Sequence, residues 1–248
     1  MSGASALDVA RARIRAATRI VVLSGAGMSA ESGVPTFREA AGGLWSAYDP
    51  AELATPAAWD RDPALVWGWY LWRMARVRAA APNAGHRALA EAAARRALRV
   101  VTQNVDDLHE RAGSRDVVHL HGELFAHRCS SCGHAAGGIA IAPDTTPRCV
   151  EPPRCTQCGG RVRPGVVWFG EALPDAALRE ATAAASGCDL LLVVGTSGLV
   201  HPAAGLPALA ARAGAVLVEV NPQPSALSPR MHACVRAGAA TALPALFA

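Results

Sequence analysis

Four stretches of nearly unbroken aliphatic residues limit the architectures open to this chain: "RIVVLSGAG" (19–27), "LRVVTQN" (98–104), "DLLLVVGTS" (189–197) and "AVLVEVN" (215–221). A strand without polar alternation must be covered on both faces, as in a parallel sheet with crossover helices above and below it. Helical stretches separate the four runs, so the expected fold class is α/β, a Rossmann-like doubly wound parallel sheet. Each run ends in small or amide-bearing residues, "SGAG", "TQN", "GTS" and "VN". Ligands of open parallel sheets bind beyond the carboxyl ends of the strands, so the four endings are expected to face one site.

A length of 248 residues suits one large domain, or a core domain carrying a smaller module. Residues 127–163 form the candidate module, being rich in Cys, Pro, Gly and Arg and poor in long apolar runs. Within it "CSSC" (Cys129, Cys132) and "CTQC" (Cys155, Cys158) are two Cys-x-x-Cys knuckles at the spacing of a four-thiolate zinc site. Four sulfur ligands leave zinc no open position, so the expected ion is structural. Cys149, Cys188 and Cys234 read as small buried residues. Seven cysteines point to metal or thiol chemistry in a reducing, cytoplasmic setting. Neither a signal pattern nor an apolar run long enough to span a bilayer stands out, so no membrane partner is expected. The net charge of +4 comes from scattered basic residues, which argues against nucleic acid as a partner.

After the first run, "LSGAGMSAESGVPTFR" places Gly25, Gly27 and Ala30 in the G-x-G-x-x-G/A pattern of a dinucleotide site at the start of a helix. Glycines there let backbone amides approach a pyrophosphate, although the same residues also serve as plain turns. No acidic residue closes the second strand at the usual distance, which counts against an ordinary dehydrogenase. In "TQNVDDLH", Asn104 and Asp106 are either ligand groups or helix caps. His119 and His121 of "HLHGELF" lie two apart and share a face of an extended segment, so periodicity does not choose between them. In "VWGWYLWRMARVR" (66–78), Tyr70 and Arg73 share one face of a tryptophan-rich helix, where they either snorkel to water or serve as donors inside a pocket.

Taken together, "GAGMSAESGVPTFR", "TQNVDDLH", "HLHGELF", the two knuckles, "VVWFGE", "GTS" and "NPQ" resemble the sirtuins, NAD-dependent protein-lysine deacylases, from about residue 18 to 245. The resemblance implies a Rossmann-like NAD-binding domain at about 1–126 and 164–248, a zinc module at about 127–163 and a helical insert at about 38–80. It implies NAD as co-substrate, one structural zinc ion, acyl-lysine proteins or peptides as partners, and a monomer. Gly25, Ala26, Gly27, Ser29, Ala30 and Glu31, with Pro35, Thr36, Phe37, Arg38 and Trp45, would cradle the ADP-ribose and close over it. Gln103, Asn104, Val105 and Asp106 would meet the nicotinamide and its ribose, with Asn104 and Asp106 taking part in catalysis. Gly195, Thr196, Ser197, Asn221, Pro222 and Gln223 would hold the adenosine end, with Ala239 in the same cofactor set.

By the same resemblance His121 is the catalytic base. Val167, Trp168, Phe169, Gly170 and Glu171 belong to a strand, "PGVVWFGE", that pairs with the substrate backbone. One branch of the family uses a Tyr-x-x-Arg pair to receive acyl groups ending in a carboxylate. Tyr70 and Arg73 match that pair, and the small Ala54 leaves room for a longer acyl group. Succinyl and malonyl are therefore expected ahead of acetyl. Mono-ADP-ribosyl transfer at the same NAD site and a non-catalytic NAD-sensing zinc adaptor are the alternatives. The loop 38–45 departs from the family pattern, being one residue longer and carrying Glu39 where glycine is common.

Overall fold

The computed structural model describes residues 5–35, 48–141 and 148–248. Among the described residues there are eight strands: β1 (Arg19–Ser24), β2 (Ala97–Thr102), β3 (Val117–His119), β4 (Gly122–Cys129), β5 (Val162–Val166), β6 (Leu190–Val194), β7 (Val216–Val220) and β8 (Ala233–Val235). Six form a parallel sheet in the order β3-β2-β1-β6-β7-β8. The chain winds outward from β1 through β2 to β3, then resumes beside β1 with β6 and winds outward the other way. The reversal puts a topological switch point between β1 and β6, where a crevice opens at the carboxyl edge. The four apolar runs are β1, β2, β6 and β7; the three-residue edge strands β3 and β8 were not anticipated.

The unbroken apolar strands follow from double coverage. Ile20 and Val22 of β1 and Leu190, Leu192 and Val194 of β6 pack with α1 (Ala6–Ala16), α6 (Ala84–Ala93) and α10 (Ala239–Phe247). Val21 and Leu23, with Leu191 and Val193, pack with α8 (Asp175–Gly187) and α9 (Leu206–Arg212) on the other face. Alternate residues of one strand thus serve two cores.

A second body of structure stands over the carboxyl edge. Helices α3 (Pro50–Leu53), α4 (Pro56–Arg61) and α5 (Pro63–Ala79) share a core with Leu124 of β4, Val166 of β5 and Trp168. Pro63 opens α5, and Asp62 Oδ1 accepts from the Leu65 amide at 2.9 Å, satisfying one of the free amides of the first turn. Ten of the seventeen α5 residues are buried, including Trp67, Trp69, Tyr70 and Trp72, so this helix is an interior element and not an amphipathic surface one. Antiparallel β4 and β5 lead into the cysteine knuckles. Among the described residues no helix is long and apolar enough to cross a membrane.

Candidate active site at the carboxyl edge of the sheet

The loops after β1 and β6 interlock at the switch point. The Gly25 amide donates to Val194 O and the Gly27 amide to Gly195 O, both at 2.9 Å. A Cβ on Gly25 would sit 2.8 Å from Thr196 Cβ, and one on Gly27 would sit 2.8 Å from Gly195 Cα. Gly195 itself has φ +60, in the left-handed region that favours glycine. These glycines therefore serve backbone-to-backbone approach between two loops. The helix that follows, α2 (Gly27–Ala30), is a single turn, ended by Gly33 at φ +81.

Polar side chains from four strand endings meet there. Ser29 Oγ donates to Asp106 Oδ2 at 3.0 Å, and Asn104 Nδ2 donates to Ser29 Oγ at 3.2 Å. Asp106 Oδ1 accepts from the Leu108 amide at 3.1 Å, so the carboxylate caps the short helix α7 (Leu108–Arg111) and faces the site at once. Asp106 is only 5% exposed, and that burial raises its pKa against the pull of these donors. Gln103 Nε2 donates to Thr196 Oγ1 at 3.0 Å, and Asn221 Nδ2 donates to Thr196 O at 3.0 Å. The endings of β2, β6 and β7 are thus joined by hydrogen bonds.

The two histidines left open by periodicity differ in their second nitrogen. His121 Nδ1 lies 3.0 Å from the Gln103 carbonyl, which requires hydrogen on Nδ1 and leaves the lone pair on Nε2. Burial lowers the His121 pKa, with the Gln103 carbonyl opposing, so the ring is a neutral base near pH 7. His119 Nδ1 lies 3.0 Å from Asn104 O, but its Nε2 faces Glu110 Oε1 at 2.8 Å. Burial opposes charge on His119, yet the Glu110 carboxylate prevails and raises its pKa. With acceptors at both nitrogens, His119 is an ion-pair partner.

Beside the crevice, Tyr70 and Trp168 are buried together. Trp168 Nε1 donates to Tyr70 Oη at 2.9 Å, so the phenol hydrogen is available for another acceptor. Burial pushes the Tyr70 phenol well above its usual range, so it stays a donor. Arg73 stands one turn along, its guanidinium 5.1 Å from the Trp69 ring centre. Burial weakens its charge, while Tyr70 and Asp106 support it. Ala54, also buried, accepts the Phe169 amide at 2.9 Å through its carbonyl. The segment expected as a substrate-pairing strand is strand only to Val166. Val167 donates to His121 O at 2.8 Å; Trp168 to Glu171 then turn through Gly170 at φ +89. The Glu171 carboxylate closes this turn, accepting from the Trp168 amide at 2.8 Å and from Arg163 Nη1 at 2.6 Å.

The four knuckle sulfurs lie within 4.8 Å of one another, with separations of 3.4 Å (Cys132 to Cys158), 3.5 Å (Cys129 to Cys158) and 3.8 Å (Cys132 to Cys155). Thiolates at the usual zinc distance stand about 3.8 Å apart in a tetrahedron. The Ser131 and Gln157 amides donate to Cys129 Sγ and Cys155 Sγ, each at 3.4 Å, as suits anionic sulfur. This donor set fits one structural zinc ion with no open coordination position.

Residues 25–202 match the Sir2 family. The chain belongs to that family. It is 62% identical over 235 residues to NAD-dependent protein deacylase 1 of Pseudomonas aeruginosa, covering 93% of both chains. Among solved structures it is similar to a Sir2 homologue in complex with NAD, at TM-score 0.88 and 44% identity, covering 96% of this chain and 91% of that one. It is also similar to a Sir2 bound to an acetylated peptide, at TM-score 0.81 and 28% identity, covering 94% and 93%.

Within this Sir2 chain two of the expected cofactor residues make contacts with α10 or its neighbours. The Glu31 carboxylate accepts from the Ala240 amide at 2.8 Å, at the first turn of α10, and the Ala239 side chain is buried in the sheet core against α6. Thr36, Phe37, Arg38, Glu39 and Trp45 lie outside the described residues. Other groups went unnoticed in the sequence. Glu219 of β7 is fully buried, paired with Ser225, with Ser228 Oγ at 2.6 Å and with Arg236 Nη1 at 2.7 Å. Arg236 Nη1 also reaches the carbonyls of Asn221 and Gln223, each at 3.4 Å, so this cluster fixes the loop after β7. The signal available was a lone glutamate inside "AVLVEVN".

Beneath the Sir2 site lies a buried polar network. Ser24 Oγ donates to Thr102 Oγ1 at 2.8 Å and lies 3.0 Å from His109 Nε2, whose ring packs edge-on against His86 at 4.9 Å between centres. The Asn83 amide donates to His86 Nδ1 at 3.3 Å, which requires an unprotonated nitrogen there. Burial lowers the His86 pKa to about 4, with Arg87 adding to the effect, and the His109 pKa to about 3, where charging it beside His86 is further disfavoured and Glu110 opposes the shift. At these two histidines the folded chain binds fewer protons than the unfolded one below about pH 6.5, so their contribution to stability falls as pH falls. Between pH 6.5 and 5 the pair is expected to remove about 3 kcal/mol of unfolding free energy. Urea unfolding at the two pH values checks this, and His109→Asn should roughly halve the difference. An undiminished difference in that variant would place the effect elsewhere.

Proposed function

We propose that this chain is an NAD-dependent protein-lysine deacylase that removes acyl groups ending in a carboxylate, succinyl and malonyl, in preference to acetyl. The observation that carries the acyl preference is the Tyr70 hydroxyl. It accepts from Trp168 Nε1 at 2.9 Å and so keeps its own hydrogen for a further acceptor, one helical turn from the Arg73 guanidinium. A carboxylate entering an apolar pocket loses its hydration, a loss offset only where donors and positive charge await it. The small Ala54 side chain leaves length for such a group.

The deacylase chemistry rests on family membership and on the named relative. When bound, NAD supplies the ribose carbon to which the acyl oxygen bonds as nicotinamide departs. Asn104 and Asp106, tied together through Ser29, would be the residues to orient the ribose hydroxyls and nicotinamide amide. With NAD bound, His121 Nε2 would accept the proton of a ribose hydroxyl, whose oxygen could then bond the acyl carbon, and water would release O-acyl-ADP-ribose and free lysine. Val167 to Glu171 line the approach of the substrate backbone.

Arg73→Met keeps most of the apolar stem and removes the charge. It is expected to lower succinyl kcat/KM by about 2 to 4 kcal/mol in transition-state terms, with acetyl turnover little changed. Steady-state kinetics on matched peptides, with release of the acyl mass followed by mass spectrometry, provides the test. An equal loss on both substrates, or a wild type indifferent to acidic acyl groups, would overturn the acyl preference. A gain of ADP-ribose on the peptide without loss of acyl would overturn the deacylase reading.

A further inference from the structure

Trp168 borders a second space, a cleft of about 550 Å³ between α4 and the zinc module. Its floor is Arg163, whose side chain is 8% exposed, bound by Glu171 Oε1 at 2.6 Å and Oε2 at 2.9 Å and by Val166 O at 3.0 Å. The guanidinium carbon lies 3.2 Å from the Trp168 ring centre. The charge of Arg163 is thus engaged within the fold, and it joins the cleft to the turn Trp168–Glu171.

The rim is different. Arg154 and Arg161 face each other across an isolated antiparallel bridge, both exposed, and both line the cleft. Like charges placed opposite one another across paired strands repel. Among the described residues neither has a carboxylate at ion-pair distance, and the Arg154 side chain is held only by Gly159 O at 3.5 Å. A second such pair, Arg128 opposite Arg163, stands on β4 and β5 next to it. Hydroxyls of Ser130 and Ser131 share the rim, and Asp60 stands on the α4 wall. Asp60 repels a carboxylate from the α4 side and leaves the rim arginines as the place where one can be held.

We propose that this cleft receives an acidic side chain of the substrate protein, an aspartate or glutamate close in sequence to the acyl-lysine, with Arg154 and Arg161 as its partners. The choice of a polypeptide acid over a free anion follows from continuity: Trp168 and Glu171 belong both to the cleft wall and to the turn along which the substrate backbone is proposed to run. A carboxylate bridging the two guanidiniums would relieve their repulsion and form charge-assisted hydrogen bonds. The inference rests on the deacylase reading and on that placement of the substrate.

The test uses the full chain with zinc bound and a series of acyl-lysine peptides in which one glutamate, or one glutamine as control, is walked through the positions on either side of the lysine. At one flank the glutamate peptide is expected to have a kcat/KM roughly three- to tenfold above its control, an advantage that shrinks with added salt. Arg154→Gln/Arg161→Gln should abolish the advantage while turning over the control peptide as before and retaining its zinc. Should that variant lose zinc, Arg161→Glu alone should shift the preference toward lysine at the same flank. The proposal is overturned if no position favours glutamate, if the advantage survives these substitutions, or if inorganic phosphate inhibits acidic and neutral peptides equally, as a free-anion site would. A wild type that processes none of the peptides would instead sink the deacylase reading on which the proposal depends.

Discussion

His121→Ala is expected to lower kcat by about a hundred- to ten-thousandfold, the range that a positioned general base supplies. The expectation comes from one lone pair. The Gln103 carbonyl fixes hydrogen on Nδ1, and burial holds the ring below its ordinary pKa, so Nε2 is free to accept a proton at neutral pH. The same burial predicts the shape of the rate profile. A base must be unprotonated, so a lowered pKa lets activity persist to a lower pH than an ordinary histidine would allow. His119→Gln is the control. It breaks an ion pair with the exposed side of Glu110, worth up to about 1 kcal/mol, and removes no available lone pair. Its effect should therefore fall on stability more than on turnover. Rates and NAD affinity measured on both folded variants decide the matter. A His119 variant that is inactive while His121→Ala remains active would reverse the assignment.

The architecture was legible where one physical rule governed many consecutive residues. Leu190–Val194 could only be a strand covered on both faces, because nothing in it tolerates water. The paired knuckles were equally plain, since their spacing is a matter of ligand geometry. The three-residue strands β3 and β8 were not legible: each is held by a neighbouring strand and carries too few residues to show a period. Within the site, pattern could name Asp106 but not say what its two oxygens do: Oδ1 accepts from the Leu108 amide at the start of a helix, and Oδ2 from Ser29 Oγ. The histidine pair shows the limit most clearly. His119 and His121 are the same residue type two positions apart and each bonds a backbone carbonyl through Nδ1, and what distinguishes their second nitrogens is Glu110, nine residues away in sequence from His119. Glu31 carries a bond that its motif did not announce, its carboxylate accepting from a helix terminus more than two hundred residues along the chain.

Removal of zinc, or Cys129→Ala, is expected to unfold the knuckles and abolish activity together. Structural zinc binding in small modules is worth about 10 to 16 kcal/mol, comparable with the whole stability of an ordinary domain. Among the described residues, the local apolar cluster that would have to replace it holds only Cys129, Cys155 and Val162 as buried members. The damage should travel, because β4 runs from Gly122, next to His121, to the ligand Cys129, paired with β5 at both ends across a register shift, and β5 leads to the Val167 amide bound to His121 O. It should also stop, because the six-stranded sheet has its own two cores, to which the knuckles contribute nothing. Most helical circular dichroism is therefore expected to remain after chelation, while the tryptophan signal of the α5 region changes and turnover is lost. Changing any one of Cys129, Cys132, Cys155 or Cys158 should have the same outcome, since a tetrahedral site with no spare ligand is opened by any single loss. Metal analysis of the purified chain gives the direct check. Zinc well below one ion per chain in active, well-folded protein would show that the knuckles hold their shape without it.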